Sequence, residues 1–268
     1  MSDVILLGAV AYDPKVVTIW ERIRDHFQES GVPMDFALYS NYERQVEALL
    51  AGHVDIAWNT PLAHVRIQRR TGGESLSLGM RDSDRDFRSH LVVRKDARIS
   101  GLGDLRGKTL AAGSRDSTQA RILPLQLLKE AGVDLDGVKI LAFDTDLGKH
   151  GDTGTSELDV LRAVEDGRAH AGVVGDLIWV SESAAGRVDA AKVEAIWTSP
   201  GYDHCMFDAL PTLSREKIDT FQRVLFAMSW DDPRHRPILE LEGLKQWMPP
   251  RQEGYQSLIR ALDASGGW

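Results

Sequence analysis

Cysteine is nearly absent: 268 residues carry Cys205 alone, so no disulfide can form within the chain. No stretch has the ~18–20 consecutive apolar residues that a membrane helix needs. There is no internal repeat and no low-complexity tract. Positive charge is in the minority, with 32 Lys and Arg against 40 Asp and Glu for a net charge of −8. The densest basic cluster, Arg66, Arg69 and Arg70, is interrupted by Ile67 and Gln68. That spacing suits a solvated helix face and not a nucleic-acid-binding stripe. What remains is an acidic globular chain whose 43 % hydrophobic content can fill one large or two medium cores.

The chain opens MSDVILLGAV, with no basic n-region and only a short apolar run. It reads as a first strand and not as a secretory signal. The expected location is therefore cytoplasmic as the sequence stands, and periplasmic if a signal segment has been removed.

Along the chain, short apolar runs alternate with helical periodicity. Strands are expected at 4–10, 36–39 and 54–58. Helices are expected at 15–30, where Val16, Val17, Ile19, Trp20, Ile23 and Phe27 recur at helical spacing, and at 42–51, closed by Gly52. Another helix starts at Pro61 after Asn59 and Thr60. A second β/α series occupies about 92–198, with strands at 90–94, 108–112, 138–143, 169–174 and 193–198. A helical turn at 102–105 and helices at 118–131 and 157–166 separate them. After Pro200 the chain turns helical, at 215–229, 238–247 and 255–262. This alternation predicts an α/β fold of two lobes, each a mostly parallel sheet flanked by helices. In such sheets ligands sit beyond the carboxyl ends of the strands.

Several segments, in order, resemble the type II periplasmic-binding-protein fold, in the phosphate/phosphite/phosphonate-binding branch of ABC-transporter substrate-binding proteins. NYERQVEALLAGHVDIAWNTPLAHV is similar to that family's tyrosine-containing helix, strand and Pro-initiated helix. SHLVVRKDARISGLGDLRGKTLAAGSRDSTQARILPLQLLKEAG is similar to its crossover strand, Ser-Thr loop and following helix. LRAVEDGRAHAGVVGD and IWTSP match two further segments. The resemblance implies one lobe of 1–91 plus 199–268, a second of 92–198, and a ligand cleft between them. It also implies a permease partner if the chain is exported.

Fold does not fix function, so each candidate residue has to stand on its own chemistry. Ser114, Ser117 and Thr118 precede a helix, where hydroxyls and free backbone N–H groups make an oxyanion cradle; plain N-capping needs only one of them. Gln119 would project from the first turn. Asn59 and Thr60 are likewise cap residues that can also touch a ligand. By the resemblance, Tyr42 sits at a ligand-facing tyrosine position, against a plain role as a core aromatic. Phe87 stands where a second tyrosine is common, and Tyr12 follows the first strand. Glu157 falls where the family tends to carry a ligand-binding histidine, and Asp176 lies at its other acidic position. A dianion would be repelled by Glu157 unless that carboxyl is protonated or paired. The plain alternative for Glu157 is an acid favoured at a helix N-terminus.

His150 and Asp152 lie in the glycine-rich run Gly148 to Gly154, and His204 adjoins Cys205. Adjacent residues on an extended chain point apart, so His204 is not expected to serve as base for Cys205. Converging with Asp176 from separate strand ends, His150, Asp152, Glu157, His204 and Cys205 offer N, O and S donors suited to a divalent transition metal of the zinc or iron class. No other cofactor is implied. Two readings follow. One is a small-molecule receptor for a polar or zwitterionic ligand, with Glu157 and Asp176 holding an ammonium or hydroxyl. The alternative is a cytosolic enzyme on the same fold, of lyase or hydrolase type with or without a metal, using His150, Glu157 and Cys205 as catalytic groups.

Overall fold

The computed structural model describes residues 4–266. The chain divides into two compact units, Met1–Asp86 with Asp203–Tyr255, and Phe87–Tyr202 with Gln256–Trp268. These bounds differ from the expected lobes chiefly at the C-terminus, where residues from Gln256 onward group with the second unit.

The first unit contains β1 (Ile5–Val10), α1 (Lys15–Glu29), β2 (Met34–Tyr39), α2 (Tyr42–Leu50), β3 (Ile56–Asn59), α3 (Pro61–Arg70) and β4 (Leu76–Arg81). The second unit begins with β5 (Ser89–Arg94), β6 (Thr109–Ala112) and α4 (Leu123–Glu130). It continues through β7 (Lys139–Ala142), α5 (Thr155–Glu165), β8 (Ala171–Gly175), α6 (Asp176–Ala184) and β9 (Val193–Thr198). The chain then returns to the first unit for β10 (Met206–Ala209), α7 (Arg215–Phe226), α8 (Arg236–Glu242) and β11 (Trp247–Met248). The last helix, α9 (Gln256–Ala264), belongs to the second unit.

The sheet of the first unit has the order β11-β4-β10-β3-β1-β2, and that of the second β7-β6-β8-β5-β9. Helix-linked neighbours run parallel, as expected: β1 with β2 and β3, and β6 with β7 and β8. Both sheets are nevertheless mixed, because β10 runs antiparallel between β3 and β4, and β5 antiparallel between β8 and β9. Each reversed strand follows a segment that crosses from the other unit, so no helical crossover forces it parallel.

Helix α1 buries Val16, Ile19, Trp20, Ile23 and Phe27 on one face, the periodicity legible in the sequence. The core beneath it centres on Phe207, whose ring lies 4.4 Å from Trp58, 5.2 Å from Phe221 and 5.3 Å from Trp247. The core of the second unit packs Leu91, Val93, Leu110 and Val173 on one side of its sheet, and Val160, Val164 and Val174 on the other.

Some elements differ from expectation. Strands β4 and β10 and helix α6 had no clear sequence signal, and the helix expected at 238–247 stops at Gly243, whose φ of +76° ends α8. The helix expected from 118 begins with a π-helical turn, Thr118–Ile122, in which Ile122 N–H donates to Ser117 O at 2.9 Å. Pro124 explains this. It has no N–H, and its ring would crowd the carbonyl four residues earlier. That carbonyl, Ala120 O, is turned to Gly113 N–H instead, at 2.9 Å.

Candidate functional site

The π turn and α4 form one continuous helical stretch, 118–130, capped by Ser117, whose Oγ accepts the Ala120 N–H at 3.2 Å. The first amides of a helix have no acceptor within it. Of the three expected hydroxyls, Ser114 is used internally: it donates to Phe143 O at 3.1 Å and accepts the Asp146 N–H at 2.8 Å. Thr118 Oγ1 is fully buried and has no hydrogen-bond partner among the described residues. Gln119 is 5 % exposed; its Nε2 donates to Glu157 Oε1 at 3.1 Å, while its Oε1 has no partner among them. A third buried oxygen in this state, Ser156 Oγ, lies in the first turn of α5.

Three glycines let backbone press against this turn. A Cβ on Gly113 would sit 2.8 Å from Ala120 Cβ and 3.1 Å from Ser156 Oγ. One on Gly151, at φ +87°, would fall 2.5 Å from Ser117 Oγ and 2.7 Å from Gln119 Nε2. At Gly175 it would meet Gln119 Cγ at 2.9 Å. The glycine-rich loop 148–154 therefore closes against the hydroxyl turn, which only residues without a Cβ allow. The carbonyl side is fixed as well. Gln119 O accepts from Ser89 Oγ at 2.7 Å, and that hydroxyl lies 2.9 Å from Tyr202 Oη. Burial pushes the Tyr202 phenol well above its ordinary range, so it stays neutral. Ser89 and Tyr202 escaped the sequence reading; neither has a cap or spacing signal.

Glu157 is buried in the first turn of α5, where its Oε2 accepts the Gly175 N–H at 2.6 Å and its Oε1 the Gln119 amide. It ties the first turn of α5 to the hydroxyl turn, at a helix N-terminus where an acid is favoured. Asp146 caps α5 from outside the helix: it accepts the Ser156 N–H at 2.9 Å and the Thr153 hydroxyl. Asp176 is paired too: its Oδ1 lies 2.6 Å from His90 Nε2, and its Oδ2 accepts the Arg88 N–H at 2.8 Å. Phe87 packs against Tyr202 with ring centroids 5.7 Å apart. His150 is buried at a φ of +54°, and Asp152 is half-buried beside it.

In the first unit, Tyr42 is buried in the cluster with Val46, Leu49 and Ala63, while Tyr12 is half-buried against the same cluster. Thr60 caps α3 by accepting the Ala63 N–H. Asn59 belongs to a buried polar chain: Gln45 Nε2 donates to its Oδ1 at 2.8 Å, and its Nδ2 donates to Asp208 Oδ2 at 2.9 Å. Asp208 Oδ1 meets His64 Nδ1 at 2.8 Å.

His204 and Cys205 correct one expectation. Their side chains converge, with Nδ1 3.1 Å from Sγ, because 203–205 is irregular backbone ahead of β10 and not pleated strand. Asp84 completes the group, its Oδ1 lying 3.5 Å from the same Nδ1. Arg81, however, grips both oxygens of Asp84 at 2.8 Å. Burial alone would raise the Asp84 pKa, but the guanidinium holds this carboxyl well below the usual range. A metal bound here would face that guanidinium. In the second unit, neither Glu157 nor Asp152 joins His150 in a three-ligand group among the described residues. Asp203, the residue before His204, is held at 2.6 Å by Arg251, which also reaches Asp86 at 2.9 Å.

With this geometry in place, similarity to known proteins is informative. The family described as ABC transporter, phosphonate, periplasmic substrate-binding protein matches residues 9–255, and the chain belongs to it. A probable ABC transporter phosphite binding protein, PhnD1, of Prochlorococcus marinus (strain MIT 9301) is 23 % identical over 228 residues, spanning 81 % of this chain and 74 % of that protein. The phosphate-import protein PhnD of Mycolicibacterium smegmatis is 26 % identical over 225 residues, 81 % of this chain and 66 % of that protein. The solved structure of Prochlorococcus PhnD1 in complex with methylphosphonate superposes with a TM-score of 0.78 at 20 % identity, covering 99 % of both chains. At that identity the superposition establishes the two-lobed periplasmic-binding-protein fold. Membership of the family makes the chain a ligand-binding receptor of the ABC-transporter type; the comparisons lend no support to the enzyme alternative. Members of the family are periplasmic by description, and no described helix is long and apolar enough to cross a membrane.

Proposed function

We propose that this member of the phosphonate-binding family is the solute receptor of an ABC importer for a small phosphorus oxyanion, phosphonate or phosphite in kind. Its element for the anion is the turn 114–120 of the second unit. The observation that carries this reading is the pair of buried oxygens, Thr118 Oγ1 and Gln119 Oε1, without partners among the described residues at the head of a helix. A buried polar group left unmatched costs about 1–3 kcal/mol, a cost that a bound ligand would remove. Amides at a helix N-terminus suit an anion, and the positive end of the helix dipole favours its charge. The relatives named for phosphite, phosphate and methylphosphonate support the same class of ligand.

A zwitterion with its ammonium on Glu157 and Asp176 is less well supported, since both carboxylates already accept from protein donors. A periplasmic location and a membrane permease as partner follow from the family's role. The test is calorimetric titration of the full chain with methylphosphonate, phosphite and phosphate. Saturable binding that weakens about tenfold in Thr118→Val supports the reading. Binding untouched by that change moves the anion elsewhere.

A further inference from the structure

Resting on that reading, we propose that the site selects its oxyanion in a protonated form: the ligand carries an O–H that donates to Gln119 Oε1. The donor and acceptor inventory around the turn leads to this. Glu157 accepts two N–H groups, one on each oxygen, from Gly175 and Gln119. Hydrogen bonds donated to both oxygens favour the charged form of a carboxyl, and in that form Glu157 acts as an acceptor. Because Glu157 needs a donor, the Gln119 amide cannot flip. Its Nε2 faces Glu157, and the group left over is Oε1, which can only accept.

The turn thus presents donors, in the leading amides, the Thr118 hydroxyl and the buried Arg121 Nη1, which has no partner among the described residues, together with one acceptor at Gln119 Oε1. A fully deprotonated oxyanion would set lone pairs against Gln119 Oε1 and a second negative charge near Glu157. A monoanion with one P–O–H satisfies the acceptor and carries less charge. Ser89 and Tyr202 hold the Gln119 main chain, and Gly151 and Gly175 crowd its side chain, so the amide has little room to reorient.

The test compares methylphosphonate with methanesulfonate, a monoanion of similar shape that has no ionisable proton at neutral pH. Binding of methylphosphonate is measured calorimetrically, in buffers of different ionisation enthalpy, above the ligand's second ionisation. The expected result is uptake of one proton from solvent per ligand bound, affinity that falls as pH rises further, and methanesulfonate weaker by about tenfold or more. Gln119→Met, whose thioether is only a weak acceptor, is expected to lose most of the preference over methanesulfonate. Tight methylphosphonate binding without proton uptake, or equal affinity for the two ligands, overturns the inference and leaves the anion-receptor reading standing. If Glu157→Gln binds methylphosphonate with no proton uptake, the proton belongs to Glu157, which also overturns it. Failure of the wild-type chain to bind either ligand at any pH defeats the receptor reading and this inference together.

Discussion

The two units treat buried polar groups differently. In the first, Gln45, Asn59, Asp208 and His64 form a connected chain, and Arg81, Asp84 and His204 form another. Among the described residues of that unit, buried atoms without a partner include Gln45 Oε1, Ser75 Oγ, Arg85 Nε and Trp247 Nε1, which come from four separate segments and share no one turn. In the second, Thr118 Oγ1, Gln119 Oε1 and Arg121 Nη1, without partners among the described residues, share one helix start, and Ser156 Oγ lies across Gly113 from it. Satisfied networks rigidify a fold, whereas a gathered set of unsatisfied ones adds nothing to stability until something binds. The first unit should therefore lose stability when its polar groups are cut, and the second should lose affinity.

The largest expected effect is on stability. Arg81→Met leaves the buried Asp84 charge without its cation and should cost about 3–5 kcal/mol in denaturant unfolding. A loss under about 1 kcal/mol would remove the contrast between the units. Next is Gly151→Ala. A methyl group at φ +87°, 2.5 Å from Ser117 Oγ, forces the loop off the turn. Methylphosphonate affinity should fall by tenfold or more, with about 1–3 kcal/mol of stability lost to backbone strain. Thr118→Val sharpens the contrast: near-unchanged stability, since an unpaired hydroxyl is removed, beside a clear loss of affinity.

The smallest effect is a pH dependence of the first unit. Burial, aided by His235 at 4.6 Å between ring centroids, holds the His26 pKa below its ordinary 6.5, against the hydrogen bond to Val224 O. The unfolded chain therefore takes up this proton first. Stability should be full above about 6.5 and decline as pH falls through that value toward the folded pKa. Unfolding midpoints from pH 8 to 5 check this, and His26→Gln should flatten the slope.

Legibility in the sequence followed the same division. The apolar stripe of α1 and the Ser117 cap were readable because each is set by local spacing. Strand β10 was not, since four residues with Asp208 among them carry no strand signal. Its charge is tolerated through His64 and Asn59, which are remote in sequence. The His204–Cys205 contact is not legible because it depends on irregular backbone at 203–205, where a pleated strand would part the two side chains. Glu157 stands out in the sequence, but its partners, Gly175 and Gln119, come from other elements. Tertiary pairing of this kind leaves no periodicity to read.

The most direct test of the central claim follows the backbone amide resonances of an isotope-labelled full chain during titration with methylphosphonate. The account predicts that the amides of Thr118 and Gln119 move most, saturably and together, while those of Arg81 and Asp84 stay in place. Saturable binding that leaves the Thr118 and Gln119 amides unmoved would contradict it.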